Sequence, residues 1–322
     1  MNVQQQNKIK SDLTKKVTAI ALASVLVVSF FGGNLMTLQA MAVTDNQAAK
    51  QTLRQTLQQD QTTYKQAVQA ADLAYKQAVQ TADLAHSQAV QDANNAYNQA
   101  AQDAKSAYNT VVSSAHGNAA IIGSAMSTRD QAIATAQTTK INAIVTADTT
   151  HDKAVNDAWV AHETTVYTSL ATRDGNDGTA QSTFYTTIGN ATLATRAQTI
   201  GQAHVTEDNS ILQARETRIA AVEIADATKI QAVGAAQIAY VSAESSAHVT
   251  LDNAYTTDAK TWNAEQQSYW NTVALLVQTE DSAIATANAN QVTAIGNADA
   301  TRDQAIDQAH ATMYGAISAA YQ

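Results

Sequence analysis

The constraint that dominates this chain is an eleven-residue repeat. Tyr64-Lys-Gln-Ala-Val-Gln is followed by Tyr75-Lys-Gln-Ala-Val-Gln, and the same slot is then held by His86, Tyr97 and Tyr108. A second run places Arg129, Lys140, His151, His162 and Arg173 in that slot, and a third places Arg196, Glu207, Arg218, Lys229, Tyr240, Leu251 and Trp262 there. Eleven residues at about 100° each make three helical turns plus about 20°, so the repeat stays nearly in phase with an α-helix. Its 3.67-residue period predicts nearly straight or slightly right-handed helices, not heptad coils.

Composition agrees. Ala makes up 67 of the 322 residues, and there is no Pro and no Cys. Ala is the best helix former, and an interior Pro would cost about 3 kcal/mol, so long uninterrupted helices are expected. The absence of Cys excludes disulfides, thiolate metal sites and a thiol nucleophile. Large apolar residues are few, and the expected fold class is all-α: long Ala-rich helices folded back as an elongated bundle or coiled coil.

Numbering the residue before the slot as zero, Thr dominates that position: Thr139, Thr150, Thr172, Thr195, Thr206, Thr217 and Thr228. Ala recurs at +4 and +8, and Val or Ile at +5. These positions fall at about 0°, 40°, 80° and 140° on the helical wheel, a single stripe read as the packing face. Within it Thr206, Ala214, Thr217, Ala221, Ala225 and Thr228 form the expected interaction face. Burying one Val or Ile yields about 1.5–3 kcal/mol, so stability has to accumulate over many repeats.

The first 42 residues have the pattern of a secretory signal peptide. Lys8, Lys10, Lys15 and Lys16 form a basic start, Ala19 to Phe31 is an apolar run, and Ala40-Met41-Ala42 offers the small residues a signal peptidase reads. The apolar run spans about 20 Å as a helix, too short for a hydrocarbon core of about 30 Å. Cleavage after Ala42 would remove four Lys and one Asp. Starting from 19 basic and 28 acidic residues, the mature chain then carries 15 − 27 = −12. Such a balance argues against nucleic acid and anionic lipid as partners. The expected location is secreted, periplasmic or cell-surface.

Breaks in the repeat divide the remainder. The slot spacing slips by one residue near His116-Gly117-Asn118 and by one the other way between Phe184 and Arg196. Asp174-Gly-Asn-Asp-Gly178 is the strongest local turn signal. The expected order is a first helix over 43–116, a break at 117–125, a second helix over 126–173, a turn at 174–179, and a third helical region over 180–322, bent near Gly189, Gly234 or Gly296. Between Leu251 and Arg302 the repeat loses phase, and Trp262, Tyr269, Trp270, Leu275, Leu276 and Val277 form the richest apolar patch.

Catalytic and ligand-binding patterns are not apparent. Metal-binding His pairs on a helix need spacings of three or four, and none of the seven His pairs with another in that way. Asp174-Gly-Asn-Asp-Gly lacks the closing Glu of a calcium loop. No phosphate-binding Gly loop or nucleophile elbow occurs. The reading names no catalytic residue, no cofactor, no metal and no small-molecule substrate.

The Tyr-Lys-Gln-Ala-Val-Gln and Arg-Asp-Gln-Ala-Ile units resemble the Ala-rich hendecad rods of secreted bacterial proteins. Thr139-Ala143-Ala147-Thr150-Ala154-Ala158 is similar to the Thr-x10 spacing of type I antifreeze helices, with Val or Ile at +5 and a cation at +1 as departures. The first resemblance implies a non-enzymatic structural or spacer protein of the cell envelope or its exterior, partnered by further copies of itself or by another envelope protein. The second implies a Thr/Ala face for ice or another repeating lattice. A third reading is peripheral membrane binding by amphipathic helices.

Overall fold

The structure is a computed structural model that describes residues 47–255 and 259–322. Over the described residues it is all-α. Helices α1 (Gln47–Ser114), α2 (Ala119–Thr187), α3 (Ala191–Ala254) and α4 (Ala259–Ala320) run antiparallel in sequence order. They hold 68, 69, 64 and 62 residues, so each is roughly 100 Å long at about 1.5 Å per residue. The expected signal peptide lies outside the described residues.

Two turns share one local chemistry. Gly117 and Gly189 adopt left-handed φ of 80° and 78°, and His116 precedes the first at φ 46°. Each Gly is followed by an Asn that caps the next helix: Asn118 accepts from the amides of Ala120 and Ile121, and Asn190 from that of Leu193. Gly supplies the conformation an L side chain avoids, and Asn satisfies amides the first turn leaves open.

The turn expected at 174–179 is a correction. That segment is helical and belongs to the interior of α2. A Cβ on Gly178 would lie 2.8 Å from the Gly201 Cα, and one on Gly201 would lie 2.8 Å from the Gly178 Cα. These glycines let two helix backbones touch. The expected break at 117–125 shrinks to the residues before Ala119, and the region 180–322 is the end of α2 plus two full helices rather than one bent helix. At Gly234, the side chain of Val145 takes the space of the missing Cβ.

The repeat pairs across each hairpin at constant register. Between α1 and α2, the Arg129 guanidinium stacks on the Tyr108 ring at 4.7 Å, Lys140 on Tyr97 at 5.2 Å and Arg173 on Tyr64 at 5.1 Å. Between these, His151 faces His86 with ring centroids 5.1 Å apart, and His162 faces Tyr75 at 5.9 Å. Each slot of α2 therefore meets the slot of α1 that mirrors it across the turn. Carboxylates at position +9 close the ladder: Asp148 on His86 at 2.6 Å, Asp83 on His151 at 2.8 Å, and Asp72 on His162 at 2.8 Å. Between α3 and α4 the slot residues Arg196, Glu207 and Arg218 meet Tyr321, His310 and Asp299 in the same way.

The buried Ala concentrate at +8: Ala71, Ala82 and Ala93 on α1, Ala147 on α2, Ala203, Ala214 and Ala225 on α3, and Ala287, Ala298 and Ala309 on α4. On α2 and α3 a second stripe, at +2 and +6, is also covered. It contains Glu163, Tyr167 and Gly178 on α2, and Gly201, Asp208, Ile219, Gly234, Val241 and Asp252 on α3. Helix α1 lacks this second stripe among its buried residues, which are Tyr64, Ala71, Ala82 and Ala93. The array is thus an elongated antiparallel bundle in which α2 and α3 are central and each contacts the helix on either side.

Candidate functional site

The sequence-predicted face is split by the structure. Ala214 and Ala225 are buried. Ala221 is half-buried, but Thr206, Thr217 and Thr228 are exposed. Their hydroxyls donate to the carbonyls of Gln202, Gln213 and Ile224, four residues back. The reason is angular. Packing is centred on +1, +5 and +8, near 80–140°, and on +2 and +6, near 200–240°, so position zero points away from both. The threonines flank the seam rather than build it. Thr139, Thr150, Thr172 and Thr183 on α2 are exposed likewise.

The expected apolar patch is also divided. Trp270 and Leu275 are 59% and 63% exposed, with Val277 at 42%, whereas Trp262 and Leu276 are half-buried. Tyr269, which the sequence places in the same patch, is its buried member. Its ring meets His248 edge-on at 4.7 Å, and its hydroxyl bonds Glu244.

What the sequence reading missed is a set of ionisable groups inside the α2–α3 seam. Glu163 is 2% exposed and bonded by Arg215 at 3.0 Å, with Arg215 also stacked on Tyr167 at 5.1 Å. Thr164 donates to Glu216 at 2.9 Å. At the two ends of the seam, the same triplet occurs twice. Asp174 on α2 lies with His204 and Asp208 on α3, and 44 residues away in each helix Asp130 lies with His248 and Asp252. The flanking residues repeat as well: Thr-Arg-Asp at 128–130 and 172–174, and His-Val-Thr-x-Asp at 204–208 and 248–252. In both copies the Arg stacks on a Tyr of α1 and bonds the adjacent Asp. Forty-four residues are four hendecads, about 66 Å of helix.

The copies differ in how their charges are met. At the first, Glu207 bonds His204 at 3.3 Å and His310 of α4 at 2.6 Å. Burial pushes the Glu207 carboxyl up, but the two imidazoles outweigh it and hold it below the usual range. His204 is raised in turn by its bond to Glu207. Asp208, 6% exposed, is pushed up to about 8 by burial, with Asp174 and Glu207 adding to the effect. Asp177 is raised to about 6 by burial. At the second copy, Leu251 stands where Glu207 stands in the first, and no carboxylate takes its place. Asp252 is 1% exposed, and burial followed by the neighbouring Asp130 raises it to about 6.

The signal for these groups lay in the sequence. Position +2 carries Asp130, Asp152, Glu163 and Asp174 on α2, and Asp208 and Asp252 on α3. A single stripe per helix assigns +2 to the solvated side. Only a helix with two neighbours buries it.

Two concavities are open grooves lined by small and polar side chains. One lies between α3 and α4 beside Ala232, Ser282, Thr286 and Asn290, and another beside the second turn at Thr186, Gly189 and Thr195. No helix among the described residues is long and apolar enough to cross a membrane. The fold defines an elongated antiparallel helical bundle held by a repeated ladder. No family model, curated protein or solved structure matches the chain.

Proposed function

We propose that this chain is a non-enzymatic structural protein, exported and trimmed after Ala42, that serves as a spacer of fixed length at or outside the cell envelope. The observation that carries this reading is the constant register of the ladder. Slot meets slot at every hendecad from Tyr108–Arg129 to Tyr64–Arg173. Sliding one helix past its neighbour by less than eleven residues would break every pair at once. Length and alignment are therefore specified together, which is what a spacer requires. The proposed partners are further copies of the chain or another envelope protein, engaged through exposed side chains such as Trp270, Leu275 and Val277.

Expression in a secreting bacterial host, with N-terminal sequencing and small-angle X-ray scattering of the product, tests the reading. The expected product begins at Val43 and has a maximum dimension of about 100 Å per copy. An uncleaved cytoplasmic protein or a compact sphere would sink it.

A second reading, lattice binding, is favoured by the exposure of Thr206, Thr217 and Thr228 in a row. Their spacing is about 16.5 Å per hendecad. Replacing all three with Lys is expected to leave the melting temperature within about 2 °C of the parent, because these hydroxyls bond only their own helix. Loss of adsorption to ice or another crystalline surface in that variant would favour the lattice reading, and unchanged adsorption would remove it.

A further inference from the structure

Asp130, His248 and Asp252 converge from two helices. His248 and Asp252 stand four residues apart on α3, so both side chains leave the same face, and Asp130 approaches from α2. One ligand-capable atom from each lies within 4.8 Å of the others. His248 Nδ1 is already 3.3 Å from Asp130 Oδ2, close to the separation of about 3.4 Å between ligands on a tetrahedral ion with bonds of about 2.0–2.2 Å.

Two further observations separate this cluster from an ordinary group of acids. Asp252 is 1% exposed, and its Oδ2 has no hydrogen-bond partner; His248 Nδ1 has only the ion-pair contact with Asp130, without hydrogen-bond geometry. A buried, unpaired carboxylate oxygen is costly and rare unless something occupies the space beside it. The first copy of the motif supplies the contrast. There Glu207 bonds both His204 and His310. Leu251 replaces that Glu beside His248, so the protein itself offers the imidazole no fourth group.

We propose that Asp130, His248 and Asp252 form a binding site for one divalent transition-metal ion of the zinc class. Two carboxylates and a neutral imidazole carry a charge of −2, which a divalent ion cancels. Mixed imidazole and carboxylate ligands suit zinc, iron, cobalt or nickel better than calcium or magnesium. The surroundings fit a metal's outer shell: Arg129 holds Asp130 through bonds of 2.6 and 2.9 Å, and the Tyr269 ring fixes the imidazole plane from α4. The ion would clamp the N-terminal part of α2 to the C-terminal end of α3. A solvent molecule would complete the coordination.

The test uses tag-free protein stripped with a chelator and titrated with Zn2+ and Co2+. The expected result is one equivalent bound, visible d–d absorption for cobalt, and a melting temperature raised by about 5 °C at saturating zinc. Asp252→Asn, which keeps the shape, and His248→Gln are each expected to weaken binding at least tenfold, while Asp208→Asn at the other copy leaves the stoichiometry at one. Circular dichroism of each variant confirms the helical content. Absence of stoichiometric Zn2+ or Co2+ binding by the parent overturns the proposal. So does unchanged affinity in a folded Asp252→Asn variant.

Discussion

Gly178→Leu is expected to lower the melting temperature by about 10 °C, the largest effect of any single substitution considered for this chain. The reason lies in the backbone-to-backbone contact with Gly201. A Cβ at Gly178 would meet the Gly201 Cα at 2.8 Å and the Ala197 carbonyl oxygen at 3.2 Å, and neither atom can turn aside as a side chain can. Overpacking a tight seam costs typically 1–3 kcal/mol and more where nothing yields. The gain in helix propensity from removing a Gly, at most about 1 kcal/mol, does not offset it. Gly296→Ala and Gly315→Ala are the controls, since a Cβ at either meets nothing within 4 Å; both should melt at or slightly above the parent. A Gly178→Leu protein that melts with the parent would mean that 174–179 is a loop after all.

The second large effect is on the pH dependence of stability. Asp208 titrates near 8 in the folded chain against 3.8 for an unperturbed Asp, because burial and the carboxylates of Asp174 and Glu207 disfavour its ionised form. The folded state therefore binds a proton that the unfolded state has already released. The stability this provides is complete below about pH 4 and is lost as the pH rises through 8. At about 1.4 kcal/mol per unit over the roughly four units between 3.8 and 8, the loss is on the order of 6 kcal/mol. His151, raised to about 9 first by Asp152 and then by Asp83, acts in the same direction, its contribution fading between about 6.5 and 9. His162, raised by Glu163 and Asp72, does so too. Glu207 works oppositely, losing its contribution only as the pH falls below the carboxylate range. Asp208→Asn removes the largest alkaline term while keeping the shape. The variant should melt with the parent below about pH 4 and about 10 °C above it at pH 9. Parallel melting curves across that range would show that Asp208 is ionised in the folded chain.

These two effects arise along one stretch of α3, where Gly201 and Asp208 stand seven residues apart, and the link is physical. Close approach at Gly178–Gly201 strips water from Asp208 and Asp177, and the stripped carboxyls then need protons or cationic partners. Arg173 and His204 meet part of that need.

Much of the fold could be read from the chain. The eleven-residue phase gave the helices and their face, and its slips mark the two turns at Gly117 and Gly189. The slip at Gly117 and the slip between Phe184 and Arg196 coincide with the two turns, and the loss of phase after Leu251 begins where α3 ends. Local composition was the poorer guide. Gly-Asn occurs at 117–118 and 189–190, where it turns the chain, and also at 175–176 and 296–297, where the chain stays helical. The candidate site was barely legible, because each of its members is an isolated acid or His at +2 or +9, positions that a single-stripe helix leaves in water.

The sequence by itself determined that this protein is helical, in which phase, and which residue of each hendecad faces its mirror image across a hairpin. Those properties are periodic and local, fixed by helix propensity and by spacing along one chain. Only the tertiary structure decided that α2 and α3 each have two neighbours. From that follow the second buried stripe, the exposure of the Thr row, the helical state of Asp174–Gly178, and the meeting of Asp130 with His248 and Asp252. Burial is a property of the whole array: a position becomes interior when a second helix arrives, and nothing in its own eleven residues announces that helix.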